Sequence, residues 1–241
     1  MFTLKSALTA VTASIIALGT AAFVAHASGA SIMPAAVTIG PSKAALPVIR
    51  IAEAGADEDT VASGGTTAVA TFASGCFWCT ESDFDKVPGV LKTISGFTGG
   101  KEKNPTYRQV VSGQTGHTEA VQVTYDPTQV SYEKLLDTYW RNVDPFDLAG
   151  QFCDRGTSYR PAIFTHSEKQ QELALASRKE LNASGRFEQK IKLPVTPVGP
   201  FYAAEAKHQN FYKKNAFHYY RYRTGCGRDR RLQQIWGKSA S

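Results

Sequence analysis

Gly75-Cys76-Phe77-Trp78-Cys79 places a thiol between a strand-like run, Thr67 to Phe72, and a segment that reads as the start of a helix. A thiol at a helix N-terminus meets the positive end of the helix dipole, which favours the thiolate and lowers its pKa. The two aromatic residues that follow can wall an apolar pocket beside it. The chemistry expected is nucleophilic attack on a small, partly apolar group. The plainer account, a structural cysteine among core aromatics, leaves a Phe-Trp pair at a glycine-preceded strand exit without a purpose. Cys79 falls on nearly the same helical face, and Cys-x-x-Cys alone admits a redox dithiol or half of a zinc site. The chain holds 4 cysteines, Cys76, Cys79, Cys153 and Cys226. A zinc centre with four thiolate ligands is therefore arithmetically open, although the usual second pair at short spacing is missing.

Other residues could join this thiol. Glu119, in Gly116-His117-Thr118-Glu119, sits in the apolar-facing phase of a strand. Buried there, it would hold its proton and could act as a general acid; an ordinary exposed strand glutamate is the plain alternative. Tyr107 follows the turn Asn104-Pro105-Thr106, and Tyr159 lies in Gly156-Thr157-Ser158-Tyr159-Arg160; packing is the default role of both. Asp154, beside Cys153, reads as a turn cap.

These residues need a scaffold. A strand at 67–73 leads to a helix at about 77–86, then a strand at 90–97 ended by Gly99-Gly100. A short helix covers Thr106 to Val111. Val121, Val123 and Tyr125 alternate with polar neighbours, a strand signature that Asp126-Pro127 ends. Ser131 caps an amphipathic helix carrying Leu135, Leu136, Tyr139 and Trp140. A strand from Tyr159 to Thr165 precedes the capping box Ser167-Glu168-Lys169-Gln170, which opens a long helix to about Asn182. A final helix is expected from about Ala203 to Lys214. This order predicts a two-layer α/β sandwich with a mixed sheet, of the ferredoxin-like or split βαβ type.

Residues 1–27 read as a secretory signal: Lys5 is their only charge, Ala7 to Ala25 is apolar and small, and Ala25-His26-Ala27 fits a cleavage site. An uncleaved membrane anchor is the alternative. Residues 28–65, rich in Ala, Gly, Pro and Ser, read as a flexible linker, and the catalytic domain as 66–241. An exported, periplasmic monomer without stable membrane contact after cleavage is expected, in a compartment where disulfides form. The net charge is +6. Its densest part, Arg221, Arg223, Arg228, Arg230 and Arg231, is interrupted by tyrosines and an aspartate, so it reads as a solvated basic tail and not a nucleic-acid site.

Together the blocks at Gly75–Glu81, Pro88-Gly89-Val90, Gly96–Gly100, Asn104–Tyr107, Gly116–Val121, Tyr125-Asp126-Pro127 and Gln151–Arg160 resemble the A-type peptide-methionine sulfoxide reductases, over about Ala68 to Trp236. The resemblance implies reduction of the S epimer of methionine sulfoxide, free or in proteins, as oxidative damage repair. By position it implies Cys76 as nucleophile and Phe77 and Trp78 as an apolar clamp for the substrate methyl. It makes Glu119 the acid beside the sulfoxide oxygen, Tyr107 and Tyr159 hydroxyl donors, and Asp154 a supporting carboxylate. A sulfenic acid on Cys76 would condense with a second thiol to a disulfide, reduced in turn by a thioredoxin-like dithiol. The implied chemistry needs no metal, flavin or nicotinamide. Cys226, between two glycines, is the first candidate to resolve the sulfenic acid; Cys79 and Cys153 are the alternatives. The other functions weighed are a thioredoxin-like CxxC disulfide oxidoreductase and a zinc-stabilised binding module.

Overall fold

The structure, a computed structural model, describes residues 67–237. The signal reading of 1–27 and the linker reading of 28–65 therefore lie outside the described residues. Among those described, no helix is long and apolar enough to cross a membrane.

Four strands form the centre of one sheet: β1 (Ala68–Ala73), β2 (Val90–Thr98), β3 (Thr118–Tyr125) and, after two 2-residue strands β4 (Gly150–Gln151) and β5 (Asp154–Arg155), β6 (Ala162–Thr165). Their order is β6-β1-β3-β2, with every adjacent pair antiparallel. Helix α1 (Phe77–Phe84) connects β1 to β2, and α3 (Tyr132–Arg141) lies between β3 and β6, which is the split βαβ arrangement. The short α2 (Tyr107–Val111) interrupts the β2–β3 hairpin. At one edge β7 (Val195–Pro197) joins β6 in parallel; at the other β8 (Tyr202–Ala203) pairs with Gly96 and Phe97. The sheet is thus mixed, as expected.

One sheet face carries the core. Ala70, Phe72, Val121 and Val123 meet Phe77 and Phe84 of α1 and Leu135, Leu136 and Tyr139 of α3. Phe72 stacks on Phe84 at 4.7 Å and on Tyr139 at 5.2 Å. Each Phe, Leu or Val among them, fully buried, stabilises the fold by roughly 1.5–3 kcal/mol. Ser131 caps α3 by accepting from the Lys134 amide. Ser167 caps α4 (Glu168–Ala183) by accepting from the Gln170 amide, but the box is not reciprocal: Gln170 Oε1 reaches past the cap to the His166 amide at 3.0 Å.

Two expectations need correction. The strand expected from Tyr159 starts only at Ala162; Tyr159 ends a 3-10 turn, and Pro161, with no N–H, cannot join the ladder there. The helix expected over 203–214 is β8 followed by a loop, and only α5 (Phe211–Lys214) is helical. The Gln209 side chain occupies the sheet edge, accepting from the Ser95 amide at 2.9 Å and donating to the Ser95 and Ala204 carbonyls. Asn210 then takes a left-handed φ of 54° immediately before α5. Two helices follow, α6 (Ala216–Gly225) and α7 (Arg228–Trp236). They fold back on the sheet's helical face: Leu232 and Trp236 are part of the core.

Candidate active site

Cys76 is the N-cap of α1, where the chain leaves β1. Gly75 makes that exit possible: its φ is +87°, and a Cβ there would sit 2.6 Å from the Gln151 Cβ. Gln151 is itself locked, accepting from the Asp144 amide and donating to the Asp144 and Asp147 carbonyls. The loop ahead of β5 is thereby pinned against the cysteine turn.

The Phe77 amide, in the first turn of α1, donates to Glu119 Oε2 at 2.9 Å. Glu119 lies on β3 in the phase of Val121 and Val123, beyond the last residue paired with β1, and is 1% exposed. Burial pushes its carboxyl well above the usual range, outweighing the Phe77 hydrogen bond. The surroundings of Glu119 therefore favour its protonated form.

Tyr107, the first residue of α2, is set by a reciprocal cap between Thr106 and Gln109. Its hydroxyl is hydrogen-bonded to that of Tyr159, and burial raises its pKa to about 12. Burial also raises Tyr159, with the charge of Glu119 next in weight. Both phenols stay protonated as donors. Asp154, on β5, accepts a hydrogen bond from the Tyr222 hydroxyl of α6, and its pKa is raised by burial. The fields of Glu119 and Asp154 both reach Cys76. The structure thus brings Cys76, Glu119, Tyr107, Tyr159 and Asp154 into one electrostatic neighbourhood.

The ionisation of Cys76 differs from the sequence expectation. Burial, followed by the hydrogen bond to Cys79, pushes the Cys76 thiol up, not down. Desolvation of a nearly enclosed sulfur outweighs what an eight-residue helix contributes at its N-terminus. The lowered thiol is Cys79, chiefly because it accepts the hydrogen bond from Cys76 and also because Arg228 and Arg223 lie near it.

Phe77 packs between Phe97 and Tyr107. Trp78 stacks on Phe211 at 3.7 Å, donates from Nε1 to His208 Nδ1 at 3.3 Å, and meets Tyr222 edge-on. His208 also stacks on Tyr107 at 4.3 Å. His208, Phe211 and Tyr222 were missed in the sequence; their one signal is the dense run of aromatics from Phe211 to Tyr222. The basic tail is corrected as well. Arg228 is 1% and Arg223 9% exposed, so two of its five arginines are interior.

Cys226, which ends α6, is bonded to Cys153, not to Cys76; Cys76 and Cys79 are free and buried. The four cysteines therefore form two separate pairs and do not converge on one four-thiolate centre.

A family model described as "Peptide methionine sulfoxide reductase" matches residues 68–240. The chain belongs to the peptide methionine sulfoxide reductase family. The protein "Peptide methionine sulfoxide reductase MsrA" of Bacillus subtilis (strain 168) is 54% identical over 169 residues, 70% of this chain and 96% of that protein. The protein of that name from Listeria monocytogenes serotype 4b is 53% identical over 167 residues, 69% of this chain and 94% of its own length. Among solved structures, the methionine sulfoxide reductase A of Corynebacterium diphtheriae superposes with a TM-score of 0.56 at 36% identity, covering 62% of this chain and 76% of that one. Mxr1 from Saccharomyces cerevisiae in reduced form gives 0.57 at 31% identity, covering 62% and 86%. Membership in the peptide methionine sulfoxide reductases disfavours both a thioredoxin-like CxxC oxidoreductase and a zinc-stabilised binding module.

Proposed function

We propose that this chain reduces methionine sulfoxide to methionine, taking the S epimer, free or in proteins, and so repairs oxidative damage. The observation that carries the reading is a protonated carboxyl, Glu119, gripped by the Phe77 amide one residue from the Cys76 thiol and joined electrostatically to the Tyr107–Tyr159 hydroxyl pair. A sulfoxide is positive at sulfur and negative at oxygen. Cys76 passes its proton along its hydrogen bond to Cys79 and attacks the sulfur as the thiolate. Tyr107, Tyr159 and Glu119 hydrogen-bond the oxygen, and Glu119 gives it a proton. Asp154 keeps the neighbourhood polar from behind, and Phe77 and Trp78 enclose the methyl. The thioether leaves, and Cys76 becomes a sulfenic acid.

Recycling ends at Cys153–Cys226. Cys153 is exposed while Cys76 is buried, so a protein dithiol can reach the outer bond and not the inner sulfur. A thioredoxin-like reductant opens it through a mixed disulfide. The steps call on no metal, flavin or nicotinamide. Export to the periplasm, with cleavage after Ala27, completes the reading, and N-terminal sequencing of protein recovered from cells tests it. For the activity, the test is turnover of separated R and S epimers with dithiothreitol. Consumption of S alone supports the assignment; consumption of neither sinks it.

A further inference from the structure

The interior around Cys79 holds two guanidinium groups and one fully buried carboxylate. Arg223 of α6 donates from Nη1 to Asp83 Oδ1 at 2.8 Å and to the Tyr219 hydroxyl at 3.0 Å. Arg228, at the start of α7, donates to the Ser74 carbonyl at 3.0 Å, to Ser74 Oγ at 3.2 Å and to the Asn142 carbonyl at 2.6 Å. Its guanidinium also lies 4.5 Å from the Phe152 ring centroid and 3.6 Å from Asp83 Oδ2. Two buried guanidinium groups thus share one buried carboxylate. Asp229, the second partner of Arg223, has a side chain 57% exposed and spends its charge in water. Arg228 Nε is buried without a hydrogen-bond partner. Uncompensated charge of this kind is costly unless an anion supplies the balance. Ser74, which holds Arg228, is also bonded to Thr80 on α1, the residue after Cys79.

We propose, on the functional reading above, that Arg228 and Arg223 are positioning residues that hold Cys79 as the thiolate which attacks the Cys76 sulfenic acid. The groups whose charges bear on Cys79 are Cys76 and Asp83 from α1, Glu119 from β3, Tyr219, Tyr222 and Arg223 from α6, and Arg228 from α7. Glu119 and the tyrosines are held toward their neutral forms; Asp83 opposes both arginines from within the interior, while Asp154 faces Arg228 and Asp229 faces Arg223 from nearer the surface. In the step, the Cys79 sulfur forms a bond to the Cys76 sulfur as the S–O bond breaks. The oxygen leaves as hydroxide and takes the proton that Cys79 gives up on becoming the thiolate, so it departs as water. The sulfenic sulfur is reduced and the Cys79 sulfur is oxidised. Reduced Cys226 and Cys153 then accept the disulfide by exchange.

The form of the protein with Cys153 and Cys226 bonded and Cys76 and Cys79 free provides the test, because in it only Cys79 is available to resolve. One equivalent of N-acetylmethionine S-sulfoxide is added without reductant. Methionine yield, sulfenic acid lifetime by dimedone trapping, and the Cys76–Cys79 disulfide by mass mapping are followed against pH. One methionine per enzyme and rapid disulfide formation are expected. Arg228→Met should move the pH midpoint of sulfenic acid decay up by about 1 unit or more, and Asp83→Asn should move it down. Arg228→Lys should stay near the parent, a rescue that a purely structural role does not produce. Should Arg228→Met fail to fold, Asp83→Asn still decides the sign. Unmoved midpoints, or a sulfenic acid that lasts as long with Cys79 as in Cys79→Ser, would overturn the assignment. No methionine from the parent would instead sink the functional reading.

Discussion

The two cysteine pairs of this protein are built in opposite ways. Cys76 and Cys79 share one turn of α1, are enclosed by core aromatics, and are free. Cys153 and Cys226 are 73 residues apart, lie toward solvent, and are bonded. The inner pair is local in sequence and depends on the sheet only for what surrounds it. The outer pair exists only once α6 has docked against the β4–β5 hairpin. On the proposed function, chemistry on the substrate is separated from exchange with the reductant, and α6 links the two regions by carrying Tyr222 to Asp154 and Cys226 to Cys153.

Breaking the inner pair should have the largest effect. Cys76→Ser should abolish sulfoxide reduction while circular dichroism shows an intact fold; full turnover with excess dithiothreitol would refute the role of the inner sulfur. Next is the acid beside it. Glu119→Gln should slow single-turnover methionine formation by about 10²–10⁴-fold, the usual contribution of a general acid. The active form of Glu119 is neutral, and that form is lost as pH rises through its raised pKa. The parent should therefore show a decline on the alkaline side that Glu119→Gln lacks; rapid-quench profiles would reveal it.

Disrupting the outer pair should spare chemistry and stop recycling. Cys226→Ser should still form one methionine per enzyme, then stall with thioredoxin, while a small dithiol restores partial turnover. Normal thioredoxin-driven turnover in this variant would erase the division of labour between the pairs. The smallest effect is expected at the joint. Tyr222→Phe deprives Asp154 of its donor and should cost about 1–3 kcal/mol of stability, read as a lower urea midpoint, with methionine still formed in a single turnover.

Legibility in the sequence follows the same division. The βαββαβ core was readable because its signals are local: alternation in β3, the serine caps of α3 and α4, and glycine at the β1 exit. Cys76, Glu119, Tyr107, Tyr159 and Asp154 were found as candidates because each sits in a compact block. The C-terminal third was not readable. Helix α6 has no clear apolar stripe, and its arginines look like surface until Asp83, which lies 140 residues away from Arg223, is placed beside them. Gln209 filling a sheet edge, and His208, Phe211 and Tyr222 around Trp78, are likewise long-range matters. The depressed pKa expected at Cys76 failed for a related reason: a helix terminus can be read from sequence, whereas the desolvation that overrides it is a property of the assembled fold.

The 73-residue separation of Cys153 and Cys226 also acts on the unfolded chain. A cross-link closing a loop of this size removes enough configurational freedom from the denatured ensemble to favour folding by about 4 kcal/mol in the chain-entropy description. The loop spans β5, β6, α4, β7, β8, α5 and all of α6. The enzyme awaiting its reductant is therefore its more heat-resistant form, and each reduction returns a protein easier to melt. Resilience is greatest when oxidant outruns reductant, which is when a repair protein is most exposed to damage itself.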